Sequence, residues 1–351
     1  MSILSKIRRF WRPADDASYQ YPLERENHRI FPPGYDGLIF VWDIDKTYLA
    51  SEIDSLRGML KIPFEFAVDK RTIAGADNLL RLLRRPKQDA AASGIYFVSA
   101  SPNQLRGTIE KKMLLDGVEH DGITLKDWTT IVRSGRMAKL REQIGYKLSA
   151  LLLGRRDLGW RAKEVLFGDD SESDALIYSL YADICAGHLR GPRLQQTLLK
   201  NGVANQDAVY IVGLCDDLPQ QDLVERIYIH TEHASSVAGF ADWNERLVAC
   251  RDTFQMTCCL IRDGHLDGHS LRSQASSLAQ THKVSRDSLS TSIHELVSRQ
   301  ELSPADANIL VQGLETALGD ESSDDTSALG LELSHVVKPR NGPVTPVRFL
   351  A

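Results

Sequence analysis

Leu38-Ile39-Phe40-Val41-Trp42-Asp43-Ile44-Asp45-Lys46-Thr47 is the stretch that decides the fold. An unbroken apolar run stops abruptly at an aspartate, as happens in a strand buried on both faces, which has no solvent side to alternate with. Residues 95–98, 165–167 and 226–229 are short runs of the same kind, each closing on polar residues. Helical periodicity fills the intervals, at 74–84, 104–115, 137–153 and 173–186. Alternating strands and helices imply an α/β fold with a doubly wound parallel sheet.

Upstream, residues 14–34 are polar and broken by Pro22, Pro32, Pro33 and Gly34, which reads as a connecting segment. At the very start, Ile3, Leu4, Ile7, Phe10 and Trp11 recur at helical spacing among Lys6, Arg8, Arg9 and Arg12, the pattern of a short interfacial helix or of a piece docked on its own domain. Downstream of His230 an apolar-periodic stretch runs over 243–261, and 285–299 and 303–318 read as two helices, the second with Ser303 as cap and Pro304 in its first turn. The expected organisation is an N-terminal segment and linker over 1–34, a catalytic domain over 35–270, a small helical appendage over 271–318, and a disordered acidic tail over 319–351.

The ends of the strands carry the chemistry, at the sheet edge where open parallel sheets bind ligands. Asp43 and Asp45 project to one side of an extended segment, so one carboxylate is placed to attack phosphorus while the other handles the leaving group's proton. A close pair also helps keep Asp45 protonated, since neighbouring carboxylates resist ionising together. Ser99 follows the second strand, where its hydroxyl and nearby backbone N–H groups, Ala100 included, can meet a phosphate oxygen. The third strand ends in Gly168-Asp169-Asp170; the glycine allows close backbone approach, and Asp169 can join Asp43 as a hard oxygen ligand for Mg2+. A phosphate beside these carboxylates needs cations, because each like-charge pair at ~4 Å costs about 4 kcal/mol at an effective dielectric near ~20. Lys147, expected at the head of an apolar helix, is the candidate ammonium, with Lys139 its competitor.

Asp-x-Asp-x-Thr alone is a weak signal; followed in order by a serine and then a Gly-Asp cluster at two further strand ends, it is a specific one. Together these residues resemble the haloacid dehalogenase superfamily, and within it the actin-patch phosphatidate phosphatases and their bacterial relatives. The likeness rests on Asp43, Ile44, Asp45 and Thr47, on the Val-Ser-x-Ser-Pro segment ending at Pro102, on Lys147, and on Gly168, Asp169, Asp174 and Tyr178. It implies a Rossmann-like core and a phosphatase in which Asp43 forms an aspartyl-phosphate and Asp45 is general acid and base. It further implies that Ser99 and Lys147 hold the phosphate together with Thr47 and Ala100. The metal would then fall to Asp43, Asp169 and the Asp45 carbonyl, supported by Asp174. This sequence departs from the branch at Lys46, usually aspartate, at Ala175, usually proline, and in an insertion over 187–222. These departures leave open whether the substrate is a lipid phosphate such as phosphatidate, a soluble phosphometabolite or a phosphoprotein. A catalytically idle domain that binds phosphorylated partners is the reading from another class, and the intact Asp43 and Asp45 pair argues against it.

A net charge of −5 argues against bulk attraction to nucleic acid. No stretch of eighteen apolar residues occurs, and Cys185, Cys215, Cys250, Cys258 and Cys259 show no metal or redox spacing, so the expected location is the cytoplasm, peripheral to a membrane if residues 1–13 bind one. His230 with His233, and His265 with His269, lack further ligands nearby and read as structural histidines. Cys258 and Cys259 read as core thiols, and Asp170 as a turn residue.

Overall fold

The structure, a computed structural model, describes residues 19–32, 34–50, 71–85, 92–140, 142–158, 161–170, 173–216, 218–231 and 244–319. The expectations for residues 1–13, for the tail beyond 319 and for His233 lie outside the described residues.

The decisive stretch forms strand β2 (Leu38–Asp43), which lies in the middle of a seven-stranded sheet. Its neighbours are β3 (Gly94–Pro102) on one side and β5 (Lys163–Asp169) on the other, both parallel to it. Beyond β3 lie β4 (Gly122–Lys126), parallel, and then β1 (Leu23–Asn27), antiparallel at the edge. Beyond β5 come β6 (Val224–His230) and β7 (Leu247–Cys250), both parallel. Leaving out the edge strand, the order β4-β3-β2-β5-β6-β7 reverses direction at β2, so the carboxyl end of β2 is the topological switch point of the sheet.

Strand alternation separates two apolar layers. Phe40 and Trp42 of β2 enter one cluster with Phe167 and Tyr228, and the rings of Trp42 and Phe167 stack at 4.2 Å and those of Phe167 and Tyr228 at 5.2 Å. That layer is covered by α1 (Ala76–Arg84), α2 (Arg106–Leu115), α8 (Thr253–Arg262), α9 (Gly268–His282), α10 (Arg286–Ser298) and α11 (Pro304–Gly319), whose Leu79, Met113, Phe254, Leu271, Ile293 and Leu310 are buried in it. Ile39 and Val41 enter the opposite cluster, covered by α4 (Ile144–Asp157), α5 (Asp174–Cys185), α6 (Gly191–Lys200) and α7 (Asn205–Cys215). A short α3 (Trp128–Arg133) follows β4, with Asp127 capping its first turn.

Helices α9 to α11 therefore share one core with the sheet, and α9 runs across the boundary expected at residue 270. The 187–222 segment supplies α6 and α7, with Leu194, Leu198, Ala208 and Ile211 buried against the sheet's second layer. The helix expected over 137–153 is broken: residues 137–140 form a 3-10 turn, and α4 starts at Ile144, where Glu142 accepts the Gly145 N–H. Lys147 thus stands in the first turn of α4, and Lys139 lies outside that helix. The apolar-periodic stretch over 243–261 supplies β7 and most of α8. Within the segment read as a connector, β1 pairs with β4 in register Leu23↔Lys126. No helix among the described residues is long and apolar enough to cross a membrane.

Candidate active site

Three strand ends converge at the switch point. Asp43 closes β2 and Asp169 closes β5, and both are fully buried. Asp174, the first residue of α5, is fully buried as well, and carboxylate oxygens of Asp43, Asp169 and Asp174 lie within 4.8 Å of one another. Lys147, on α4, reaches into this cluster: its Nζ stands 2.8 Å from Asp43 Oδ1 and 2.5 Å from Asp174 Oδ1. Three carboxylates gathered around Lys147 in a fully buried place concentrate negative charge where the dielectric is low. A donor set made only of oxygens, in a pocket that needs positive charge, fits a hard divalent cation such as Mg2+.

Gly168 makes that approach possible. A Cβ at this position would stand 2.5 Å from Asp174 Oδ2 and 2.8 Å from a ring carbon of Tyr178. Any larger residue displaces either the carboxylate or the ring. Tyr178 itself donates to the Phe167 carbonyl at 3.2 Å, and burial, followed by the charge of Asp174, raises its pKa well above the ordinary tyrosine value, so it stays a neutral donor. Asp174 Oδ2 also accepts the Asp169 N–H at 3.4 Å, so α5 and the end of β5 are tied through one carboxylate.

Asp45 sits two residues beyond Asp43, half-buried, and its Oδ2 accepts from Ser99 Oγ at 2.8 Å and Ser101 Oγ at 2.7 Å. The Ser101 N–H in turn donates to Ser99 Oγ at 2.9 Å. One oxygen of Asp45 thus gathers two hydroxyl groups. Ser101 was not singled out from the sequence; the strand had been expected to end at residue 98, whereas β3 continues to Pro102. The four added residues bring both Ser99 and Ser101 to the Asp45 carboxyl, across an irregularity in the β3–β4 ladder between Ser99 and Pro102.

The turn that carries Asp45 is held firmly. Tyr48 and Leu49 N–H groups both donate to the Ile44 carbonyl, and the Lys46 N–H donates to the Leu49 carbonyl at 2.7 Å. Lys46 has φ 59, a left-handed conformation unusual for a residue with a Cβ. His230, at the end of β6, places Nδ1 3.1 Å from the Lys46 carbonyl, so this histidine supports the turn. Tyr48 Oη donates to Asp116 Oδ2 at 2.7 Å from the other side.

Of the remaining expected residues, Thr47 is buried in this turn, and its hydroxyl has no hydrogen-bond partner among the described residues. Ala100 is half-buried, with its carbonyl accepting from Trp128 Nε1 at 3.2 Å. The Asp170 N–H donates to the His230 carbonyl at 3.1 Å. Lys139 is drawn elsewhere, pairing with Asp207 and Tyr19, so geometry joins Lys147 and not Lys139 to Asp43.

Residues 38–190 match the family model described as "Phosphatidate phosphatase APP1, catalytic domain". This stretch resembles that domain. It contains the whole cluster, from Asp43 through Ser99, Lys147 and Asp169 to Asp174, and the match indicates a phosphatase, a hydrolase acting on phosphomonoester bonds. Neither the comparison with curated proteins nor that with solved structures gave a match.

Proposed function

We propose that this phosphatase is magnesium-dependent, works through an aspartyl-phosphate on Asp43, and acts on a lipid phosphate of the phosphatidate type. The observation that carries the mechanism is the buried Asp43–Lys147–Asp174 chain at the switch point, with Asp45, two residues on from Asp43, held by two serine hydroxyls. The substrate class rests on the description of the matched catalytic domain.

Mg2+ would be held by Asp43, Asp169 and the Asp45 main-chain carbonyl, with Asp174 in support; bound there, it supplies positive charge that offsets the substrate phosphate. Lys147 keeps Asp43 ionised and oriented, and shares the phosphate's charge. Asp43 attacks phosphorus through one carboxylate oxygen as the bond to the leaving oxygen breaks, and Asp45 gives that oxygen its proton. In the second half, water attacks the aspartyl-phosphate while Asp45, now ionised, takes the water's proton, and the P–O bond to Asp43 breaks. Ser99 and Ser101 serve both halves. Donating to Asp45, they hold it as an acceptor; turned toward a phosphate oxygen, they release it to carry a proton.

The test is phosphate release from dispersed phosphatidate and from a soluble aryl phosphate, with Mg2+ or EDTA, by wild type and Asp43→Asn. Release from phosphatidate that needs Mg2+ and falls at least ~10³-fold in Asp43→Asn is expected. Release that persists in EDTA, or that survives Asp43→Asn, overturns the mechanism. Turnover of the aryl phosphate alone overturns the lipid assignment and leaves the mechanism standing.

A further inference from the structure

A second group of metal-ligating side chains lies at the outer edge of the sheet, built from three elements the reaction does not use. We infer that His28, Glu110 and His120 form a binding site for a divalent transition metal of the zinc class. Ligand atoms of the three residues all lie within 4.8 Å of one another. In a tetrahedral zinc site, bonds of about 2.0–2.1 Å put ligand atoms roughly 3.4 Å apart. The three side chains thus need to close by about an ångström, and His28, whose side chain is 46% exposed, is free to make that movement.

The backbone sets this arrangement. The His28 N–H donates to the Asp121 carbonyl at 2.7 Å, carrying the β1–β4 ladder one step beyond Asn27↔Gly122. His28 and His120 are therefore brought side by side, with ring centroids 5.5 Å apart. The His120 ring also stands edge-on to Phe97, which fixes its plane, and its Nδ1 is buried with no hydrogen-bond partner among the described residues. Glu110 comes from α2, next to Ile109, which anchors that helix in the core. A buried ring nitrogen that satisfies no protein group is what a metal ligand leaves behind when the metal is absent.

The surroundings decide which cation fits. Two imidazoles, which are borderline donors, beside one carboxylate suit zinc, cobalt or copper better than magnesium, which favours an all-oxygen set. This separates the site from the all-carboxylate cluster at Asp43. Arg106 is the opposing charge, yet Glu110 is its most distant acidic partner: Glu24 lies at 2.9 Å, Glu26 at 3.4 Å and Glu110 at 3.6 Å. Arg106 keeps two carboxylates when Glu110 turns to a metal. Bound there, the ion ties the end of the edge strand to α2 and to the loop before β4, with one coordination position left for water.

The full chain, freed of metal with EDTA, is titrated with Zn2+ and, separately, with Co2+, whose visible absorption reports coordination by nitrogen and a low coordination number. Wild type, His28→Ala, Glu110→Gln and Asp169→Asn are compared, and the thermal midpoint is followed with and without Zn2+. Expected are one zinc that excess Mg2+ does not displace, affinity at least ~10-fold weaker in His28→Ala and Glu110→Gln, and unchanged binding at this site in Asp169→Asn. Zinc should raise the thermal midpoint of wild type and not of His28→Ala. Equal zinc affinity in wild type and His28→Ala, loss of all zinc binding in Asp169→Asn, or no binding at micromolar zinc each overturns the inference. Because His28 is largely exposed, its alanine variant folds and the comparison stands even if substitutions at the more buried His120 do not.

Discussion

Lys147 is fully buried between Asp43 and Asp174, so removing its ammonium leaves carboxylates facing one another away from water. Lys147→Ala is expected to lower the free energy of urea unfolding by about 3–5 kcal/mol, and Mg2+ should recover part of the loss. In the folded fraction, phosphate release should fall by about 10²–10³-fold. Lys139→Ala tests the alternative: its partners Asp207 and Tyr19 lie outside the cluster, so the folded enzyme should keep its kcat/KM within about twofold. Gly168→Ala places a methyl group where Asp174 and Tyr178 already stand, and kcat/KM and Mg2+ affinity should each drop roughly 10–100-fold. At this scale the sequence was informative wherever a candidate residue ends a buried strand, since both Asp43 and Asp169 are marked by the apolar run before them. Ser101 carried no role of its own in the sequence, and His230, read as structural, carried no named partner. Ser101 lies on a strand longer than its apolar run, and His230 acts through a main-chain carbonyl from a distant strand, which spacing in one sequence cannot reveal.

The element that matters most is the turn from Ile44 to Leu49, clamped by Tyr48 on Asp116 and by His230 on the Lys46 carbonyl. Tyr48→Phe removes one clamp and should cost about 1 kcal/mol of stability in urea titrations, with a measurable fall in kcat as Asp45 loses its fixed position. Lys46 holds a left-handed conformation that an L-residue adopts at a cost of about 1–2 kcal/mol, and Lys46→Asn should recover part of it as a higher thermal midpoint. Elements were legible in proportion to their burial. The strands β2, β3, β5 and β6 announce themselves as apolar runs, whereas β1 reads Leu-Glu-Arg-Glu-Asn because an edge strand is kept charged against pairing with other chains. In β4, Lys126 is fully buried and donates to the Glu142 carbonyl beneath the ring of Tyr146, a solution no hydropathy pattern anticipates. The short β7 was hidden because α8 follows it after only Arg251 and Asp252.

Across the whole molecule, the far layer is sealed by ion pairs as well as by apolar contacts. Burial alone would raise the Asp263 carboxyl, but the hydrogen bond and charge of Arg262, joined by Arg226, outweigh it and bring its pKa to about 2. A depressed carboxylate stabilises the fold above its unfolded value of 3.8 and loses that contribution as pH falls through about 2. The contribution is about 2 kcal/mol, so Asp263→Asn should lower unfolding free energy at neutral pH and flatten its dependence between pH ~4 and ~2, read by urea titration across that range. A chain ended at residue 270 would uncover the layer that holds Phe40, Trp42 and Phe167, and it should lose its cooperative thermal transition by circular dichroism. The stack of Trp42, Phe167 and Tyr228 sets a schedule for synthesis as well. The stretch that resembles a phosphatase domain is complete at residue 190, yet β6, β7 and the helix carrying Leu314 have still to be made. At roughly 5–20 residues per second the ribosome needs about 6–25 s to cover that interval, at the start of which only α1 and α2 of that layer's helices have been made to cover the central strand. The apolar face of β2 is thus the surface a holdase would cover in that window, after the catalytic sequence is made and before the layer that buries it is complete.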